Sequence, residues 1–479
     1  MHDLVEEMAH YIVRGAHPNN PEKHSRIWKW KDLKCLCDMG ADAVPMETEV
    51  LTFRCSYEDP GLSDVVGVSD VVANMKKLRW IRFYKYPSSS FPSNFQPREL
   101  GYLELIWSKQ KELWHGYKSL PNLKILNLSW SKNLIKTPDF EGLPCLERLI
   151  LCGCDSLEEI HPSIGYHKRL VFVNLSWCSR LKRFPPIIHM KKLETLTLLA
   201  CRELQQFPDI QSNMDSLVTL NLSSTGIEII PPSDGRLPGL KFLDLTCCKS
   251  LVELPDLPSS IAILRAGDCR SLEVVRDLSD YKWLWKVSLQ GCYKLIGGER
   301  VLHSMLEGNA AKDRFMSVLL PAVELSSRIF TRVVTLQLPS NWYSDFSGLL
   351  VFVRYNRDAH WMRFGVCIII RQETSTYDYS KESNEDQEWR YERVGYVPFN
   401  SLWHIPWFNP TYTKHISFLT FYGGGLNVEL VRSKNKIVDL NENPIDYSEC
   451  WDEEKEDRKT FEIIYHSQSS DIQIVWKHY

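Results

Sequence analysis

Fourteen cysteines and fourteen histidines are the first candidates for chemistry in this 479-residue chain. A zinc site needs thiolate pairs at C-x-x-C-like spacing, repeated at a set distance. Cys35/Cys37 and Cys152/Cys154 are C-x-C pairs, and neither has such a second pair. His2, His10 and His17 lie seven or eight residues apart, not at the i, i+4 spacing that puts two imidazoles on one helical face. The glycines at Gly297 and Gly423 do not sit between a strand and a helix, and G-x-x-x-x-G-K-[ST] occurs nowhere, so no loop is built to cradle phosphates. The acidic run WDEEKEDR, 451–458, reads as a solvated loop. None of the roles an active site requires is filled, so the expectation is no catalysis, no metal and no cofactor. One further motif invites chemistry: Asn127, Asn174 and Asn221 each open an N-L-S glycosylation sequon.

The elements that carry these residues explain most of them. L-x-x-L-x-L recurs with its first position at Leu123, Leu146, Leu170, Leu193, Leu217, Leu240, Ile261 and Leu284, preceded by weaker copies at Leu78 and Leu100. The period is about 23 residues, in the leucine-rich-repeat range. Positions four and six alternate on a short strand and point inward, so stacked repeats bury one continuous ladder. The sequons all fall at position five, and the repeat itself accounts for them. Position nine holds Cys154, Cys178, Cys201, Cys248, Cys269 and Cys292, with Ser131 and Thr225 substituting. A small side chain is wanted there, where the strand turns away, so these are structural, reduced thiols. Prolines in the return segments (FPPI, FPDI, LPDLP) predict irregular or short helical connections.

The alternation that buries positions four and six exposes positions three, five, seven and eight on the concave side. They carry Trp80, Arg82, Tyr84, Tyr102, Trp107, Trp130, Arg148, Phe172, Trp177, Phe242, Asp244, Arg265 and Lys286. Aromatics and arginine are the side chains that dominate protein interfaces, so these are the candidate partner-binding residues.

After Leu295 the repeat signal stops. ERVLHSMLEGNAAKDRFM reads as a helix leaving the solenoid, and the rest as short alternating strands: VVTLQL, GLLVFVRY, WMRFGVCIII, WRYERVGYV, HISFLTFY, LNVELV, TFEIIYH and DIQIVW. An antiparallel β-sandwich is the natural class for such a segment, with long polar loops at 373–388 and 441–458. At the other end, Met1, Leu4, Val5, Met8 and Ile12 make one apolar helical stripe that stops near Gly15. The whole is an α/β leucine-rich-repeat solenoid followed by an all-β antiparallel sandwich, with a short helical N-terminus. Net charge is −3, which argues against nucleic acid as the main partner. No run of about 18 apolar residues suits a membrane. The N-terminus lacks the basic end and apolar block of a secretory signal.

Laid out in this order, the parts resemble the C-terminal portion of a plant intracellular immune receptor of the TIR–nucleotide-binding–leucine-rich-repeat family. MHDLVEEMAHYIVRG resembles the "MHD" motif that ends the family's winged-helix subdomain, and HPNNPEKHSRIWKWKDL the segment after it. NMKKLRWIRF, YPSSSFPSNFQP and KELWHGYKSLPNLKILNLS resemble its first repeats, and the sandwich its post-repeat jelly-roll/Ig-like domain. The resemblance implies five parts: a winged-helix remnant (1–50), a linker or cap (51–77), about ten repeats (78–297), a helical connector (298–332) and the sandwich (333–479). It implies recognition of a pathogen effector or host immune component in the cytoplasm or nucleus, by a chain monomeric as a fragment. ADP and ATP belong to the family's full-length members; here His2 and Asp3 are a sensing motif with no nucleotide site to sense. The chain is expected to start where a domain was ending. The alternatives are an intracellular repeat scaffold or adaptor, and a non-functional truncated remnant.

Overall fold

The computed structural model describes residues 12, 13, 15, 17, 20–40, 47–53, 67–231, 235–310, 314–321, 333–340, 342–355, 366–372, 391–402, 408, 415–420, 425–433, 461–466 and 471–476. They fall into two compact units, Met1–Leu251 with Pro255–Pro258, and Val252–Leu254 with Ser259–Tyr479. His2, Asp3, most of the N-terminal stripe and the loops 373–388 and 441–458 lie outside the described residues; Ile12, at the end of the stripe, is exposed.

In the first unit ten strands pair in chain order: β1 (Arg26–Ile27), β2 (Val50–Phe53), β3 (Trp80–Tyr84), β4 (Tyr102–Ile106), β5 (Ile125–Asn127), β6 (Arg148–Ile150), β7 (Phe172–Asn174), β8 (Thr195–Thr197), β9 (Thr219–Asn221) and β10 (Phe242–Asp244). These strands pair in parallel, and from β3 onward the registers join like positions of successive repeats, as with Tyr102↔Ile125 and Arg148↔Phe172. The ladder is dry: Leu126, Leu128, Leu149, Leu151, Leu175 and Leu222 are fully buried. Each such leucine stabilises the stack by roughly 2–5 kcal/mol relative to alanine. The parallel sheet begins upstream of the first repeat legible in the sequence. β1 and β2 lie in the segments read as winged-helix remnant and linker, with α1 (Trp30–Met39) between them and α2 (Val68–Asn74) following. Return segments contain short 3-10 turns at Phe140–Gly142 and Pro162–Tyr166, each entered through a side-chain cap, Asp139 and His161.

The strands are shorter than the alternation suggests. From β5 to β10 each ends at position five, and the chain then turns a corner. At position eight all ten repeats have positive φ: Lys85, Trp107, Trp130, Gly153, Trp177, Ala200, Ser224, Cys247, Asp268 and Gly291. The corner aims each of these backbone N–H groups sideways. Trp107, Trp130 and Trp177 donate to the carbonyls of Ser129, Cys152 and Leu199, position seven of the next repeat, so the ladder of hydrogen bonds runs on through the turn. Position five holds the corner from inside. The Oδ1 atoms of Asn127, Asn174, Asn221 and Asp244 accept from the backbone N–H two residues on, at 2.9–3.0 Å. This is an Asx turn, and it is what the N-L-S sequence does here. Position nine closes the corner: the thiols of Cys154, Cys178, Cys201, Cys248 and Cys292 donate to the position-six carbonyl of the repeat before, at 3.0–3.3 Å. Burial pushes the Cys154 and Cys201 thiols up to about 12.

The second unit continues the pattern and then changes it. β11 (Glu253–Leu254) pairs with β13 (Val274–Val275), and β12 (Ile263–Arg265) with β14 (Lys286–Ser288), all parallel. The segment read as a helical connector holds α3 (Gly298–Ala310) and then a strand, β15 (Met316–Pro321). β15 pairs parallel with β14 on one side and antiparallel with β19 (Tyr391–Pro398) on the other. MSVLLP is an apolar run too short to tell strand from buried helix by period. The remaining strands match the segments read from the sequence: β16 (Val333–Gln337), β17 (Phe346–Tyr355), β18 (Val366–Gln372), β20 (His415–Thr420), β21 (Gly425–Arg432), β22 (Phe461–His466) and β23 (Asp471–Trp476). They form two antiparallel groups, β19–β17–β21 beyond β15, and β16–β20–β18–β23–β22. Their core gathers Leu349, Val351 and Val353 of β17 with Phe418 and Val428. Trp342 of α4 (Trp342–Asp345) stands edge-on to Phe399, centroids 4.7 Å apart.

Candidate functional site

The solvent face of the first unit's sheet is built in rows, because parallel registry sets position three beside position three and five beside five. In the first row Trp80 stacks flat on Tyr102, with centroids 3.6 Å apart and planes 6° from parallel. Two repeats further on, the Arg148 guanidinium lies over the Phe172 ring at 4.1 Å. Such a contact adds about 0.5–2 kcal/mol and keeps both groups fixed.

The second row centres on Glu104, which is 5% exposed. Arg82 of the preceding strand brings Nε to 2.5 Å from one carboxylate oxygen. The other oxygen accepts the Tyr102 hydroxyl at 2.5 Å and the Asn127 Nδ2 at 3.2 Å. Burial, and donation of its proton to Glu104, push the Tyr102 phenol above the ordinary tyrosine range. A buried carboxylate must be paired to be tolerated, and this one is held by three neighbours from three repeats. Sequence reasoning missed Glu104. The only signal was a carboxylate at position five beside an arginine at position five of the preceding repeat.

Not all predicted residues join this patch. Trp80, Arg82, Tyr84, Tyr102, Arg148 and Phe172 share the face, although Phe172 is only 8% exposed. Phe242 and Asp244, on β10, are 8% and 7% exposed, and the Asp244 carboxylate is engaged in its Asx turn, so neither is the open contact expected. Arg265 and Lys286 belong to the second unit, where Lys286 is 4% exposed. Trp107, Trp130 and Trp177 are exposed by 40%, 37% and 46%, but at the left-handed corner rather than on the strand. Alternation does not continue past position six because the backbone has already turned.

The corner tryptophans form a second feature. Trp107 and Trp130 stack with centroids 5.3 Å apart and planes 9° from parallel. Trp130 reaches over position eight of the next repeat, which is Gly153. A Cβ there would lie 2.4 Å from the ring. The Lys132 amino group sits over Trp107 at 5.6 Å. A left-handed backbone costs an L-residue about 1–2 kcal/mol, and bulky side chains seldom accept it. Three do so here.

A cavity of about 530 Å³ lies elsewhere in the first unit, lined by return-segment residues including Phe207, Ile210, Ile230 and Leu257; none of the candidate residues lines it. Among the described residues no group of three or more His, Cys, Asp or Glu could hold a metal ion, and no helix is long and apolar enough to cross a membrane.

No family model matches the chain. Its curated relatives include TMV resistance protein N of Nicotiana glutinosa, 32% identical over 192 residues, which are 36% of this chain and 16% of that protein. Disease resistance protein RPV1 of Vitis rotundifolia is 34% identical over 212 residues, 35% of this chain and 15% of that one. The chain therefore spans about one sixth of the length of these relatives. Among solved structures, the leucine-rich repeat domain of the type III effector XopL aligns at TM-score 0.37 and 18% identity, covering 61% of this chain and 88% of that domain. Over roughly a third of its length, the chain is a homologue of the plant TIR–nucleotide-binding–leucine-rich-repeat disease resistance proteins.

Proposed function

We propose that the chain serves plant defence by recognising another protein, a pathogen effector or a host immune component, through the sheet face of its first repeats. Recognition needs no catalysis, and the residues offer rigid aromatic and arginine contacts instead. The observation that carries the reading is the Trp80–Tyr102 stack locked by Glu104 and Arg82. Large side chains fixed before binding lose little entropy on contact, which is the character of interface hot spots. The relation to disease resistance proteins supports the immune setting. The test is a two-hybrid screen against pathogen effectors and host immune proteins, with each hit measured by biolayer interferometry. Trp80→Ala with Tyr102→Ala should weaken a genuine partner by about 2 kcal/mol or more, near thirtyfold. A partner bound equally well by that variant and by Arg148→Ala would move recognition off this face.

A further inference from the structure

The near-neutral chain hides a strong asymmetry. Residues 76–192 hold 20 Lys and Arg against 9 Asp and Glu, while the whole chain is net −3. These are the repeats that also carry the corner tryptophans. Stacking brings like positions together, so position eight gives a row of Lys85, Trp107 and Trp130, then Gly153 and Trp177, and position ten sets Lys109 beside Lys132. The side chains of Lys85, Trp107, Trp130, Trp177, Lys109 and Lys132 are exposed, and the Lys132 amino group lies over Trp107. The flank beside the sheet is thus an aromatic ledge edged with ammonium groups.

We propose that this ledge docks an acidic, extended protein segment bearing aromatic side chains. Carboxylates fit the lysine row, and flat rings fit against the exposed parts of the tryptophans. Strain at the corner is kept at three tryptophans although glycine at Gly153 and Gly291 fills the same position without it. A phosphate backbone suits the ledge less well. Asp155 comes 3.9 Å from Lys132 and interrupts the cation row, which evenly spaced phosphates would meet and scattered carboxylates can avoid. This surface is distinct from the sheet face. It shares with the proposed function only the premise that the chain binds protein.

The test is fluorescence anisotropy at low ionic strength with a labelled twelve-residue (Glu-Tyr)6 peptide. A (Lys-Tyr)6 peptide and a dT12 oligonucleotide serve as comparison probes. The chain should bind (Glu-Tyr)6 and not (Lys-Tyr)6. Lys109→Glu with Lys132→Glu, and separately Trp107→Ala with Trp130→Ala, should each weaken it about tenfold. Lys191→Glu, an exposed charge off the ledge, should not. Trp80→Ala with Tyr102→Ala should leave peptide binding intact, so failure of the sheet-face reading and failure of this one are separable. Absence of (Glu-Tyr)6 binding, equal binding of (Lys-Tyr)6, preference for dT12, or binding unaffected by both double variants would each overturn the proposal.

Discussion

Gly153→Ala is the sharpest perturbation of the corner. Two costs arise at once. The methyl group must accept φ near +73°, about 1–2 kcal/mol for an L-residue. It must also share space with the Trp130 ring, whose Cε3, Cδ2 and Cζ3 atoms lie 2.4–2.8 Å from the new Cβ. Those atoms belong to the fused ring, so the whole indole has to leave its place, and overpacking of this kind costs about 1–3 kcal/mol. The sum is about 2–5 kcal/mol. In a Trp130→Ala background only the backbone cost remains, so the same substitution should cost about 1–2 kcal/mol. The coupling between the two sites is therefore about 1–3 kcal/mol, a size that double-mutant cycles resolve. Urea unfolding of the four proteins, followed by far-UV circular dichroism, measures it. Equal cost of Gly153→Ala with and without the indole would refute the claim that Gly153 is the seat of the Trp130 ring.

Three further outcomes follow from the corner and the ladder. Asn174→Ala should lose about 1 kcal/mol of unfolding free energy because the Ser176 N–H loses its acceptor, whereas Asn174→Asp should be near neutral, as Asp244 already plays that part. Cys154 and Cys201 have folded thiol values near 12 against an ordinary value of 9.0, so their stabilisation is whole below about pH 9 and is lost as pH rises towards 12. The urea midpoint should fall across that window, and less steeply in Cys154→Ala with Cys201→Ala; parallel profiles would show the thiols are not the cause. Calorimetry with magnesium and ADP should give no binding heat, since no phosphate-cradling sequence is present; a stoichiometric isotherm would refute this.

The sequence carried the ladder because one geometry repeats: leucines at positions four and six have no other place to go. It carried the sandwich strands for the same reason, since β17 through β23 alternate or run apolar between polar breaks. What it did not carry depends on neighbours distant in the chain. Glu104 reads as one more polar residue until Arg82 and Asn127, 22 and 23 residues away, are set beside it by registry. β15 was masked by a short apolar run that fits a helix as well as a strand. β1 and β2 lack the full repeat pattern, and only pairing reveals them. The corner was invisible for a subtler reason: Asx turns and strand alternation both accept N-L-S, and the choice between them is made by where the position-eight N–H must point.

That choice also bears on why the tryptophans sit where they do. At the corner the backbone conformation is imposed by the ladder, so position eight pays about 1–2 kcal/mol for any residue with a Cβ. A stacked aromatic pair returns about 0.5–1.5 kcal/mol beyond the area it buries, and the covered part of each indole offsets the strain further. Trp107 and Trp130 share one such contact between two strained positions, and each remains more than a third exposed. Gly153 next door shows that the corner closes without a side chain. The sheet face is held differently: Trp80 and Tyr102 lie on strand, and Glu104, paired with Arg82 in the next row of the same face, accepts the Tyr102 hydroxyl. One surface is held by hydrogen bonds between strands and the other by stacking at the corner. Two surfaces held in such different ways can be varied independently, so substitutions on one should leave the ladder and the other undisturbed.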